Sequence, residues 1–239
     1  MNSNRRTTAL LASAIVVVSA CGSSDDGAAD RPATEDAGTV LAAPTEGGGP
    51  NATIAVDLPE AYEGVVGPVE VIGDALPPLT TNDFSADPAV GNPAPVLVGL
   101  GYDGRTIRLD PAADGPTMVV FLAHWCPHCN DEIPVLLKLR DDNRIPDEVN
   151  VIAVSTAVTP GQPNFPPDEW LDDKDWTYPA IADGVDLERD TWIAADAYGV
   201  SGFPFVVLVD AAGNVAARWS GERPPSEIAG LLASLPSIA

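Results

Sequence analysis

Cysteine, histidine and basic residues are all scarce in this 239-residue chain, and each shortage removes a class of function. Three cysteines, one of them far from the other two, are too few for the disulfide framework that staples many small secreted domains. Two histidines, His124 and His128, and a single CxxC leave no second ligand cluster for a structural zinc site. Twelve Lys and Arg stand against 35 Asp and Glu, a formal charge of −23. That balance excludes nucleic acid as a partner and leaves no docking patch for anionic lipid; it reads as a solvated, self-repelling surface. The N-terminal apolar run, Ala9 to Val18, stops well short of the ~20 residues of a membrane span. What remains is 45% hydrophobic side chains, enough for one domain with a core and a tail besides.

The tail has a reading of its own. Arg5 and Arg6 precede the apolar run, and Val18-Ser19-Ala20 precede Cys21, so residues 1–20 read as an export signal. Small residues ahead of a cysteine look like a bacterial lipobox, which implies a lipid on Cys21. Residues 21–52, rich in Gly, Ala, Asp, Ser, Thr, Glu and Pro, lack the apolar mass to repay the entropy of ordering and read as a flexible tether. The expected location is the outer face of the cell membrane, with the membrane reached through the lipid anchor. Residues 53–90 read as a short extension with strands at Thr53–Val56 and Val69–Ile72, and residues 91–239 as the main domain.

From Gly91 the elements become regular. Asp103-Gly104 marks a hairpin between Val96–Leu100 and Arg105–Leu109. The strand Thr117–Ala123, a helix from Cys126 to about Asp142 and the strand Val149–Ser155 make a βαβ unit, with apolar runs that suit a sheet covered on both faces. A proline-rich loop, Thr159–Pro167, leads to a short helical stretch at Asp168–Asp173 and strand-like Tyr178–Ile181. A helix over Leu187–Tyr198 is expected to stop at Gly199. Strands Pro204–Val209 and Val215–Trp219 around a turn, and a helix over Pro225–Leu235, close the chain. The fold class is α/β, a central mixed sheet flanked by helices.

The chemistry sits at Trp125-Cys126-Pro127-His128-Cys129, two thiols at the spacing of a redox-active pair. Directly after a strand, Cys126 meets the opening of a helix, among unpaired backbone N–H groups and the positive end of the dipole, which favour the thiolate. Cys129 lies one turn in and more covered. Glu132, three residues further on the same face, is placed to accept a proton from Cys129, while a helix-surface glutamate in an acidic chain would look the same. His128 is placed to donate to the Cys126 thiolate and so favour the reduced form. Trp125 flanks the pair and either shapes an apolar approach or packs the strand end. A structural disulfide or a zinc site are the competing uses of the two thiols.

Phe121-Leu122-Ala123-His124-Trp125-Cys126-Pro127-His128-Cys129, Glu132, Pro134 and Gly202-Phe203-Pro204 together resemble the thioredoxin fold, and more narrowly the TlpA/ResA-like thiol-disulfide oxidoreductases. The resemblance spans about Gly91 to Leu235 and includes an N-terminal hairpin and the extra stretch that separates TlpA-like proteins from minimal thioredoxin. It implies that Cys126 is the nucleophile, Cys129 the resolving thiol and Glu132 a proton-handling group. It further implies a cis Pro204 opposite the cysteines and Phe203 pairing its backbone with a bound peptide. Two departures matter: Val120 stands where thioredoxin buries an aspartate, and Pro127-His128 is the dipeptide of DsbA-like oxidants. Direction of electron flow therefore stays open. The implied function is exchange of disulfides with cysteine-containing exported proteins, with a membrane redox partner and no cofactor. A thioredoxin-fold peroxidase would want Thr or Ser where Ala123 stands, and a copper-delivery module a further distant histidine.

Overall fold

The central strand is covered on both sides, and the architecture of residues 60–237, which the computed structural model describes, is built around it. In chain order the strands are β1 (Glu70–Ile72), β2 (Val96–Gly101), β3 (Thr106–Leu109), β4 (Thr117–Leu122), β5 (Asn150–Ser155), β6 (Ala180–Ala182), β7 (Val185–Asp186), β8 (Thr191–Trp192), β9 (Phe205–Val209) and β10 (Val215–Ser220). The helices are α1 (Pro111–Asp114), α2 (Pro127–Asp141), α3 (Pro167–Asp173), α4 (Ile193–Ala197) and α5 (Pro225–Ser234). Every residue of β4 is buried. Met118, Val120 and Leu122 face one core with α2 and α5, while Val119 and Phe121 face a second with α4. Each such fully buried aliphatic or aromatic side chain contributes roughly 1.5–3 kcal/mol.

Among the described residues eight strands form one sheet, in the order β1-β2-β6-β5-β4-β9-β10 with β3 on β2. β4 and β5 are parallel and joined by α2 as the crossover; β9 runs antiparallel to β4, and β10 completes the sheet antiparallel to β9. This is a thioredoxin fold, preceded by the β2–β3 hairpin and carrying α3, β6, the β7–β8 pair and α4 between β5 and β9. Its order delivers the start of α2 and the start of β9 to one end of the sheet, where the site lies.

Residues 70–90 are stitched onto this sheet. β1 pairs with β2, and the N–H groups of Leu76 and Leu79 donate to Ala197 and Gly199 at 2.8 and 3.0 Å. Asp87 meets Arg218 of β10 through two hydrogen bonds of 2.6 and 2.9 Å, both side chains fully buried. Burial alone would push the Asp87 carboxyl up, but Arg218 and the Ala89 N–H together hold it below the usual carboxylate range. The export signal over 1–20, Cys21, the tether over 21–52 and the strand expected at Thr53–Val56 lie outside the described residues. Among those described, no helix is long and apolar enough to cross a membrane.

The helix expected over Leu187–Tyr198 is a correction. Its first half is the turn over residues 187–190 that joins the two-residue strands β7 and β8, followed by β8 itself, and only Ile193–Ala197 is helical. Asp186 Oδ1 takes the N–H groups of Glu188 and Arg189, and Asp190 adopts φ 53°, which together turn the chain back. The helix starts where it does because the buried Asp183 accepts the N–H groups of Ala194 and Ala195. At its far end Gly199 has φ +66°, and a Cβ there would stand 2.4 Å from the Pro77 carbonyl oxygen.

Candidate functional site

β4 ends at Leu122, a short turn follows, and the N–H of Cys126 donates to Ala123 O at 3.0 Å. Cys126 occupies the N-cap of α2 in extended conformation, and Pro127 takes the first helical position, where its missing N–H costs nothing. Both cysteines are free thiols, Cys126 6% exposed and Cys129 fully buried. The Cys126 thiol points at the Phe203 carbonyl, 3.6 Å away, in front of the cis Phe203–Pro204 bond. Cys129 Sγ accepts from the Ala123 N–H at 3.5 Å. Burial pushes the Cys129 thiol far up; the Ala123 N–H offsets part of that, and the negative charges of Cys126 and Glu132 add to it. Cys129 is thus a neutral thiol that needs a base before it can attack.

Glu132 is the base the geometry offers. It is 1% exposed on the inner face of α2, and its Oε1 has no hydrogen-bond partner. Burial, helped by the negative charge of Glu222, raises its carboxyl to about 7. A surface position, the bland alternative, is therefore not what the fold gives it. On β4 the fully buried Val120 supplies no second titrating group.

His128 behaves differently from the expectation that its ring serves Cys126. The side chain is 67% exposed, and Nδ1 donates to Glu222 Oε1 at 2.6 Å across 94 residues of sequence. Glu222 lies in the loop between β10 and α5, which no local pattern links to the CxxC.

Trp125 is half-buried, its Nε1–H donating to Ala157 O at 2.7 Å and its ring meeting Phe203 edge-on at 6.0 Å between centroids. His124, which the sequence leaves without a role, is fully buried. Its Nε2 accepts the Thr159 N–H at 3.1 Å and its Nδ1 donates to Pro163 O at 2.8 Å, so the ring pins the loop 159–165 beside the site. Burial lowers its basicity, which keeps that arrangement neutral. Asn164 and Asn130 add to the clamp: Asn164 Nδ2 donates to His124 O at 2.8 Å, Asn130 Nδ2 to Cys126 O at 3.0 Å, and Trp170 Nε1 to Asn130 Oδ1 at 3.0 Å. Phe165, 37% exposed, stacks edge-on against His124 and precedes a second cis bond at Pro166. These residues come from the turn before α2, from α2, from the loop between β5 and α3 and from α3, and only their three-dimensional pairing reveals them.

A cleft lined by Tyr102, Asp168, Trp176 and Tyr178, among others, includes none of the site residues. Beside the thiols stand the aromatic side chains of Trp125 and Phe203.

The sequence matches the AhpC/TSA family over residues 90–229. It is 28% identical over 127 residues to the thiol-disulfide oxidoreductase ResA of Geobacillus thermodenitrificans, covering 53% of this chain and 67% of that protein. Among solved structures it is similar to StoA from Bacillus subtilis, with 21% identity, a TM-score of 0.46, and 60% of this chain matched to 98% of that one. It is similar also to the exposed lipoprotein thioredoxin Etrx1 from Streptococcus pneumoniae, with 23% identity, a TM-score of 0.45, and 59% of this chain matched to 99% of that one.

Proposed function

Since the chain belongs to the AhpC/TSA family and is a ResA/TlpA-like thiol-disulfide oxidoreductase of the thioredoxin fold, we propose that it exchanges disulfides with cysteines of exported proteins on the outer face of the cell membrane. The carrying observation is the asymmetry of the two thiols. Cys126 lies at the tip of α2 facing Phe203, while Cys129 is sealed beneath it, near the buried Glu132 carboxyl whose Oε1 has no partner.

In the reducing direction, the Cys126 thiolate attacks one sulfur of a client disulfide, forming a mixed disulfide and releasing a client thiolate. Cys129 loses its proton to Glu132 and attacks Cys126 Sγ; the second client thiolate leaves, and the enzyme holds the Cys126–Cys129 disulfide. Two electrons pass to the client in all; the Cys129 proton, held by Glu132, protonates one client thiolate, and the other takes from solvent the proton that Cys126 gave up on ionising. The oxidising direction is the same sequence reversed. Trp125, Phe203 and Pro204 form the contact surface for the client chain on either side of Cys126. The pattern from Arg5 to Cys21 and the acidic, proline-bearing tether support placement at the membrane through a lipid on Cys21. There a membrane redox protein resets the pair between cycles.

The Cys129→Ser variant tests this. It is expected to accumulate mixed disulfides with exported proteins through Cys126, visible as adducts on gels run without reductant and identified by mass. A Cys129→Ser protein that yields no adduct while Cys126 remains alkylatable would overturn the reading.

A further inference from the structure

We infer that Glu222 is a positioning residue of the redox site: it holds His128 in a charge-paired geometry and so limits how strongly that ring favours the reduced, thiolate form of the pair. The inference rests on the thiol-disulfide reading above and concerns the potential of the couple, whatever its client.

The loop that carries Glu222 is built. On one side the Gly221 N–H donates to Pro204 O at 2.8 Å, with Gly221 at φ +84°, tying the loop to the turn that faces Cys126. Ser220 and Asn82 exchange two hydrogen bonds of 3.0 and 3.1 Å. On the other side Arg223 donates to Asn82 O at 3.1 Å, pairs with Glu227 and lays its guanidinium 4.6 Å from the centroid of Phe84. Arg223 is thereby committed elsewhere, and the titratable groups on the α2 side of Glu222 are His128, hydrogen-bonded at 2.6 Å, and beyond it Glu132, Cys126 at the N-cap and the Cys129 thiol.

The consequence follows from Coulomb's law. A lone imidazolium at the second position of α2 would present a full positive charge to the Cys126 sulfur, adding to the helix dipole. With the carboxylate 2.6 Å from Nδ1, the pair is net neutral when the ring is charged, and the ring is turned toward Glu222. A Pro-His dipeptide between the cysteines therefore does not by itself make this couple a strong oxidant.

The test is a double-mutant cycle in the folded protein: wild type, Glu222→Gln, His128→Gln and the double variant. Each is equilibrated with glutathione buffers at pH 6 and read by thiol alkylation and mass. Glu222 is 45% exposed and Gln is isosteric, so packing is left in place. Glu222→Gln is expected to shift the equilibrium toward the dithiol about two- to fivefold, the size an exposed charge pair carries. The shift should vanish in the His128→Gln background. No shift, or the same shift in both backgrounds, overturns the inference; in the second case Glu222 acts through its own charge. Failure to trap clients with Cys129→Ser would leave this result untouched, so the two readings fail separately.

Discussion

Two of the carboxyl groups buried among the described residues, those of Asp183 and Glu132, differ in what surrounds them. Asp183 is fully buried beside α4, and its oxygens accept from the Thr156 hydroxyl at 2.6 Å and from the Ala194 and Ala195 N–H groups at 2.8 and 3.2 Å. Glu132 is as deeply buried on the opposite face of the sheet, under the redox pair, with Oε1 unpartnered. Burial raises both, Asp183 to about 6 against the pull of its hydrogen bonds, and Glu132 to about 7. A satisfied buried acid is a joint of the structure; an unsatisfied one beside a buried thiol is a proton acceptor kept in reserve.

Removing the joint separates the two roles most widely. Asp183→Ala orphans a hydroxyl and two N–H groups at the start of α4, and is expected to cost about 3–5 kcal/mol, as breaking a buried polar network does. Urea unfolding would check this. The thiol chemistry of the protein that remains folded should be unaltered, and a strongly changed alkylation profile of Cys126 would blur the distinction drawn here.

The next largest effect is on stability against pH. For an acid raised in the folded state, protonation favours folding: the contribution is complete below the unfolded value and is lost as pH rises through the folded one. For Glu132 that window runs from 4.5 to about 7. Glu132→Gln removes this titration while leaving that of Asp183 in place. The stability of the variant relative to wild type should therefore rise by up to about 3 kcal/mol between pH 4.5 and pH 8, at roughly 1.4 kcal/mol per pH interval. Urea midpoints at pH 5 and pH 8 measure it. A gap that stays constant over that range would mean that Glu132 is solvated in the folded protein.

The sequence made some of this legible and hid the rest for physical reasons. The run Met118 to Leu122 is apolar at every position because both faces of β4 are covered, and such runs announce themselves locally. The CxxC likewise needs only four adjacent residues. The β7–β8 turn was hidden because Asp186 and Asp183 redirect the backbone through hydrogen bonds whose partners no helical period reveals. Glu222, His124 with Pro163, and Asp87 with Arg218 are pairings across 94, 39 and 131 residues. The segment 70–90 carries no strong pattern because much of what fixes it, a buried ion pair and a few backbone bonds, is supplied by the sheet it joins.

The smallest expected effect returns to the unsatisfied acid. Cys129 is a buried neutral thiol, and its attack on Cys126 Sγ requires that its proton leave; Glu132 is the group whose affinity for that proton is matched to neutral pH. Glu132→Gln should slow resolution of a preformed mixed disulfide about 100-fold, at the low end of general-base contributions. It should leave the first attack, by Cys126, nearly unchanged, because that step draws no proton from Cys129. Stopped-flow measurement of the two phases with a disulfide peptide distinguishes them. In wild type the resolving phase should accelerate as pH rises through about 7, where the carboxyl becomes able to accept the proton, and Glu132→Gln should lose that inflection. An equal slowing of both phases would place Glu132 with Asp183, as structure, and would erase the contrast between them.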